Sequence, residues 1–278
     1  RGIRYNSYWG TQNGTIRNSR IKEVVEPMLM LNHYWTITDK TTLNTNIAYQ
    51  FGRVGNSRID YRGSKIDGTT NGVPIVVSLG GSNPDPTYYQ KLPSYQIQKN
   101  NVGSAYELEQ EFLKNGQLNW PHLYRANLNS FNGGNSTYVL YEDRNDDQQL
   151  WIHSIFESEL TDHILLNASL QYRNLRSVNF AKVLDLLGGT GFLDIDTFAE
   201  GIDRQQSDLL HPNRIVRVGD AFKYHFNLNA NIINGFAQAQ FNYTKIDFYT
   251  AASFSKTSYQ RNGLYQNGKF ANATESLG

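Results

Sequence analysis

The sequence contains no cysteine, which excludes a disulfide frame, a cysteine-based zinc site and a thiol nucleophile. Charge is scarce, since 18% of the 278 residues are charged against about 25% in ordinary soluble domains. Neither sign dominates: 26 basic residues face 25 acidic ones, for a net charge of +1. A strongly basic nucleic-acid binder and an acidic tail are thereby excluded as organising ideas, and no nucleic-acid partner is expected. Long apolar runs are missing too. Met28 to Leu31 and Val73 to Val77, the latter broken by Pro74, fall far short of the roughly 18 residues of a membrane helix. A helical membrane protein is excluded, but one built from strands is not, because only every second residue of a strand would face lipid. What the chain has in abundance is aromatic residues, 18 Tyr, 14 Phe and 4 Trp, at a mean hydropathy of −0.56. The chain opens at Arg1 without methionine or the order of a signal peptide, which leads us to expect a piece of a longer polypeptide.

Period-two alternation dominates. Phe222, Tyr224, Phe226, Leu228, Ala230 and Ile232 interleave with Lys223, His225, Asn227, Asn229 and Asn231, as in a strand between an apolar and a polar environment. Asn234-Gly235 favour a type I′ turn, because both tolerate positive φ. Ala237, Ala239, Phe241 and Tyr243 then alternate with Gln238, Gln240 and Asn242. The pattern predicts a hairpin turning at Asn234-Gly235. Leu29, Leu31, His33, Trp35 and Ile37 lead likewise into Asp39-Lys40, followed by Leu43, Ile47, Tyr49 and Phe51. Leu150, Ile152, Phe156 and Leu160 lead into Asp162-His163, followed by Leu166, Ala168, Leu170 and Tyr172. Six strands in three hairpins are expected, over about 28–61, 149–178 and 217–257, separated by long segments at 62–148, 179–216 and 258–278.

Structureless loops beyond about 12–15 residues are uncommon in compact domains. Tight turns alternating strictly with long loops are instead the pattern of outer-membrane barrels. Tyr49 lies nine residues after Lys40, Tyr172 nine after His163, Tyr224 ten before Asn234 and Tyr243 eight after Gly235. Nine strand residues tilted by about 40° rise on the order of 23 Å, close to the apolar band of roughly 25 Å between aromatic girdles. On this count four of six strands fit; Trp151 has the right distance but lies on the face opposite Leu150 and Ile152. The other face is rich in Asn and Gln, which suits a wide water-filled or plugged lumen better than a sandwich surface. The fold class expected is all-β, an antiparallel transmembrane β-barrel segment with long extracellular loops, in the cell outer membrane and in contact with the lipid bilayer.

No chemistry-bearing constellation stands out. His33, His122, His153, His163, His211 and His225 show no metal spacing and no nearby nucleophile. Glu142 to Asp147 and Asp194-Ile195-Asp196 lack the ligand ladder of a calcium loop and read as solvated loop charges. Gly188-Gly189-Thr190-Gly191 lacks the frame of a phosphate loop. No enzyme activity, catalytic residue, cofactor or metal site is expected, and the residues that bind substrate are not identified by the sequence. One helix is expected in the first long segment, capped by Ser104 with Glu107 and stopped by Gly116. Tyr88, Tyr89, Tyr95, Trp120 and Tyr124 of that segment suit stacking on sugars or peptides and a small loop core equally well.

The stretch Leu43 to Gly52 (LNTNIAYQFG) resembles a barrel hairpin of the TonB-dependent outer-membrane transporters. Similar likenesses run through Gly80 to Tyr95 (GGSNPDPTYYQKLPSY), Asn179 to Ala199 (NFAKVLDLLGGTGFLDIDTFA), Asp208 to Ala230 and Phe236 to Phe270. The likeness is to the large Bacteroidetes-type receptors with a carboxypeptidase-regulatory-like domain, relatives of the starch-utilisation transporters of Gram-negative bacteria. The resemblance implies about six strands from the middle of a 22-stranded, plugged barrel. It also implies energising by the TonB complex through parts outside this chain, with a surface lipoprotein or other outer-membrane subunits as partners. The function it implies is import of a bulky nutrient; a structural or docking subunit of a larger assembly and a surface β-sandwich adhesin are the alternatives. Six strands alone would leave unpaired edges in lipid, so further strands are expected before Arg1 and after Gly278.

Overall fold

A computed structural model of the chain describes residues 5–271. The expected strands beyond Arg1 and Gly278, and the last residues of the 258–278 segment, lie outside the described residues. The chain starts with a small hairpin, β1 (Trp9–Gln12) and β2 (Thr15–Asn18), followed by β3 (Lys22–Val25), β4 (Met28–Thr38) and β5 (Thr41–Asp60). A second small hairpin, β6 (Ser64–Thr70) and β7 (Val73–Ser78), precedes helices α1 (Pro93–Gln98), α2 (Val102–Asn115) and α3 (Trp120–Asn127). The long strands β8 (Val139–Thr161) and β9 (Ile164–Asp185) come next. After the short strand β10 (Phe192–Leu193), the one-turn helix α4 (Ile202–Gln205) and the short strand β11 (Ile215–Val216), two more long strands follow. These are β12 (Ala221–Asn242) and β13 (Asp247–Gly263).

One antiparallel sheet dominates, in the order β13-β12-β9-β8-β5-β3, with β4 also on β5. β3 and β4 continue each other along one edge, interrupted at Glu26-Pro27, because proline cannot donate to the ladder. Gly52 sits opposite that break with φ +149, and a Cβ there would strike the Val25 carbonyl. The sheet is therefore a six-strand meander whose strands reach 23 residues, far beyond the usual 5–6. Turns at Asp39-Lys40 and Asp162-His163 close one end as expected. The long connections lie at the other end, so the predicted alternation of tight turns and long loops holds.

The third hairpin corrects the sequence reading. β12 runs straight through Asn234-Gly235 and turns only at residues 243–246. Gly235 is where a ring packs: it pairs with Phe254, and a Cβ on it would lie 2.2 Å from the Phe254 ring. The Tyr224 and Tyr243 intervals, counted from a turn that does not exist there, are withdrawn. The second hairpin extends further toward the loops than expected, to 139–185 in place of 149–178, while the third spans 221–263 in place of 217–257, starting later and ending further on.

The loops are folded. The 62–148 region holds three helices rather than one, and Asn101 caps α2 by accepting from the Ser104 amide, in place of the expected Ser104 cap. Trp120 is fully buried with Leu118, Leu123, Tyr138, Leu140 and Leu187. A second cluster joins Val139, Tyr141, Ala181, Val183 and Phe222 to Phe192 and Val216 of the second long connection. Asn127 clamps the two loops: its amide donates to the carbonyls of Tyr138, Leu186 and Leu187, and its oxygen accepts from the Thr137 and Tyr138 amides. A buried amide satisfied at every position fixes one arrangement of the chain around it.

Candidate membrane-facing band and polar inner face

Residues paired directly across neighbouring strands share a face, so the ladder sorts the side chains. On one face, Trp35 pairs with Leu43, Leu31 with Ile47 and Leu29 with Tyr49. The row continues through Phe156, Ile152 and Leu150 of β8 and through Ala168 and Tyr172 of β9. It ends in Ile233, Ala237, Ala239 and Phe241 of β12, opposite Ala252 and Phe248 of β13. No layer of the described chain covers it: Leu31 is 64% exposed, Leu170 55% and Phe254 58%.

The band is bounded by rings. Toward the turns, Phe241 stacks on Phe248 at 4.6 Å and Tyr243 on His163 at 5.1 Å. Toward the loops, Tyr49 stacks on Phe51 at 5.5 Å, and Tyr172 occupies the matching place on β9. The nine-residue interval from turn to tyrosine stands on β5 and β9. Beyond the tyrosines the same face turns charged. Arg53 pairs with Glu23 at 2.7 Å, and Arg144 bonds Glu142 at 2.9 Å and Asp146 at 2.8 Å. Glu142 to Asp147, expected as loop charges, belong to β8 and alternate between its two faces.

The opposite, inner face carries the amides. Asn44, Asn46 and Gln50 lie there with His153, Gln149, Asn167, Gln171 and Arg173. Arg173 donates to the Gln149 oxygen at 2.8 Å, and Asn234 to the Gln171 oxygen at 3.1 Å. The face is mixed on β12, where Phe226, Leu228, Ala230 and Ile232 share it with Asn234. This overturns the expected placement of those four on the apolar face. At Ile232-Ile233 the apolar pattern of β12 changes sides, the strand itself continuing.

Near the loops the inner face closes in a charged network. The Lys223 ammonium meets the Asp60 carboxylate at 2.5 Å and lies 4.2 Å from the Tyr141 ring. Lys223 adopts φ +62 next to a register shift in β12, a strained conformation for a residue with a side chain. It is held there by its own amide, which donates to Asp194 at 2.9 Å. Burial alone would push the Lys223 pKa down; Asp60 and Tyr141 more than offset this, and the net shift is upward. Arg58 pairs with Asp143, which also accepts from the Tyr224 hydroxyl at 2.7 Å. Asp194, 2% exposed at its side chain, binds Arg214 at 2.7 Å, and Arg214 donates to the Tyr265 hydroxyl. A cleft of about 190 Å³ opens beside Lys223, with Arg62 stacked 3.3 Å over the Phe198 ring at its edge.

The sequence reading named Lys223, Tyr224, Glu142 to Asp147 and Asp194 but did not join them, because their partners are far apart in the chain; Asp194, expected as a solvated loop charge, is buried. The six histidines stay dispersed: His211 bonds Asp208 at 2.8 Å, His163 the Asn242 carbonyl, and His225 packs between Phe180 and Tyr265. Among the described residues, no group of three or more His, Asp or Glu converges as metal ligands would. Of the loop aromatics, Trp120 and Tyr124 belong to the loop core. Tyr88, Tyr89 and Tyr95 form an edge-to-face cluster with Tyr89 exposed. No protein-family model, curated protein or solved structure matches the chain.

Proposed function

We propose that this chain forms part of the wall and the extracellular mouth of a TonB-dependent transporter barrel in the outer membrane of a Gram-negative cell. In this reading it contributes to import of a bulky nutrient and carries no covalent catalysis. The observation that supports it is the bare apolar band. Six long strands present aliphatic residues flanked by aromatic rings to nothing in the described chain, while the amides gather on the other side among apolar residues of β4, β8 and β12. A lipid bilayer is the environment in which such a face is the stable one. Further strands would pair the outer edges of β4 and β13, because an unpaired edge in lipid leaves each backbone group several kcal/mol short. Gating would be driven by the TonB complex acting through other parts of the transporter. The charged inner network at Lys223 would line the mouth.

The absence of native cysteine makes the test direct. Leu170→Cys and Gln171→Cys are neighbours on opposite faces. In intact outer membranes, the cysteine at 170 is expected to react with a lipid-soluble maleimide and resist a charged one, and that at 171 to show the reverse. Equal labelling of both by the charged reagent would end the membrane reading. Uptake that persists without TonB or proton-motive force would end the active-transport reading and leave the barrel intact. A docking subunit is the second reading, favoured by the folded helical layer of residues 79–135. Purification of the protein without stoichiometric companions would count against it.

A further inference from the structure

Helices α2 and α3 and the segment 82–91 line a half-open cavity of about 280 Å³, just below the usual range of small-molecule sites and so sized for a small ligand. Its floor is apolar. Leu108 and Phe112, one turn apart on α2, face Leu123 of α3, the Tyr138 ring and Pro84. Leu123 and Tyr138 are almost completely buried and belong to the loop core, so the floor is rigid. Polar groups, among them Glu111, Asn119 and His122, line the cavity at exposed positions.

Lys91 is the exception in this wall. Several cations built into the loop end have carboxylate partners: Arg17 has Asp185, Arg144 has Glu142, Lys223 has Asp60 and Arg214 has Asp194. Among the described residues no carboxylate comes within ion-pair distance of Lys91. Glu111 lines the same cavity, yet its carboxylate accepts from Asn115 and forms no pair with the lysine. A half-buried ammonium without a counter-charge is costly to hold. An anion entering the cavity would restore the missing partner, and a charged hydrogen bond of that kind is among the strong ones.

We infer that this cavity binds a small organic carboxylate with an apolar body, its carboxylate on Lys91 and its body on the Leu108, Phe112 and Leu123 floor. The site lies in the loop layer, and the inference stands whether or not the protein transports anything. Burial pushes the Lys91 pKa down, with Asp85 pulling it partly back. Affinity for an anion therefore falls as pH rises through a value below the ordinary lysine range.

Ligand-observed NMR on the full chain in detergent micelles tests this, with phenylacetate and the uncharged phenylacetamide as probes. Phenylacetate is expected to bind saturably, and phenylacetamide about tenfold more weakly or worse, given about 1.5–3 kcal/mol for a charged hydrogen bond. Lys91→Met should lose the preference for the acid, and Lys91→Arg should keep it. Micelle partitioning is common to all three proteins and cancels. Unchanged far-UV and near-UV circular dichroism of Lys91→Met would show that the loop layer still folds, while a Lys91→Met that loses its fold leaves Lys91→Arg and the acid–amide difference to decide. Equal binding of acid and amide, no saturable binding of phenylacetate to the wild-type protein, or a Lys91→Met protein that keeps the preference would each overturn the inference.

Discussion

The two ends of the sheet are stabilised in opposite ways. At the loop end, helices and connections cover the strands, and the buried hydrophobic side chains, from Ala105 to Phe222, all gather there. Toward the turns, the strand stretches 28–51, 148–178 and 228–263 contain no buried hydrophobic residue, although their outer face is mostly apolar. Burial from water at about 25 cal/mol per Å² builds the first region without help. The second is held by its hydrogen-bond ladder and by cross-strand side-chain contacts, and leaves its apolar side for the surroundings to cover. On the proposed membrane reading, water above and lipid below would account for one sheet with two kinds of surface.

That contrast can be broken most forcefully at the loop end. Trp120→Ala removes the largest fully buried side chain, and we expect a loss of about 3–5 kcal/mol, read by guanidinium unfolding in detergent micelles. A loss below about 1 kcal/mol would mean that the loop core does not govern stability there. The band gives the next effect. Leu170→Arg is expected to cost about 2–4 kcal/mol in lipid vesicles if residue 170 faces the bilayer interior, against little or nothing for Gln171→Arg on the inner face. Equal costs at the two positions would erase the distinction between the faces.

A smaller effect is expected where the two regions meet. Lys223→Met leaves the Asp60 carboxylate, 11% exposed at its side chain, without its cation, at a cost of about 1–3 kcal/mol. The folded pKa of Lys223 is raised, so its contribution is fully present below the ordinary lysine value of 10.5. It is lost as pH rises through the higher folded value. Stability measured against pH for the wild type and for Lys223→Met should run parallel from neutral pH upward and converge only in strong alkali. Convergence near neutral pH would show that the pair is not stabilising.

Much of the sheet was legible because period two is a local property. Leu43 to Phe51 and Leu166 to Tyr172 declare their face one residue at a time, and Asp39-Lys40 and Asp162-His163 turn where their chemistry allows. The third hairpin was misread because a change of phase has two meanings. At Ile232-Ile233 the apolar residues switch sides, which a turn at Asn234-Gly235 would explain. One unbroken strand passing from one environment to another explains it equally well. The preference of Asn-Gly for a turn is modest beside the ladder that β12 makes with β9 and β13, and Gly235 is needed for the Phe254 ring. Of the loops, the helix at residues 102–115 was visible, although its cap is Asn101 in place of the expected Ser104. The Asn127 clamp and the Lys223–Asp60 pair were not, since each joins residues from distant segments.

The sequence by itself determined the alternation of faces, two of the three tight turns, the short-long order of connections and the scarcity of charge. All of these are set by neighbours within a few residues. The tertiary structure alone decided where β12 turns, which face its apolar residues occupy and that the long connections fold into a shared core. Those outcomes depend on pairing free energies summed over whole strands and on contacts between segments more than a hundred residues apart, such as Arg17 with Trp120 and Asp185. Local propensity is too weak to fix such arrangements, and packing fixes them instead.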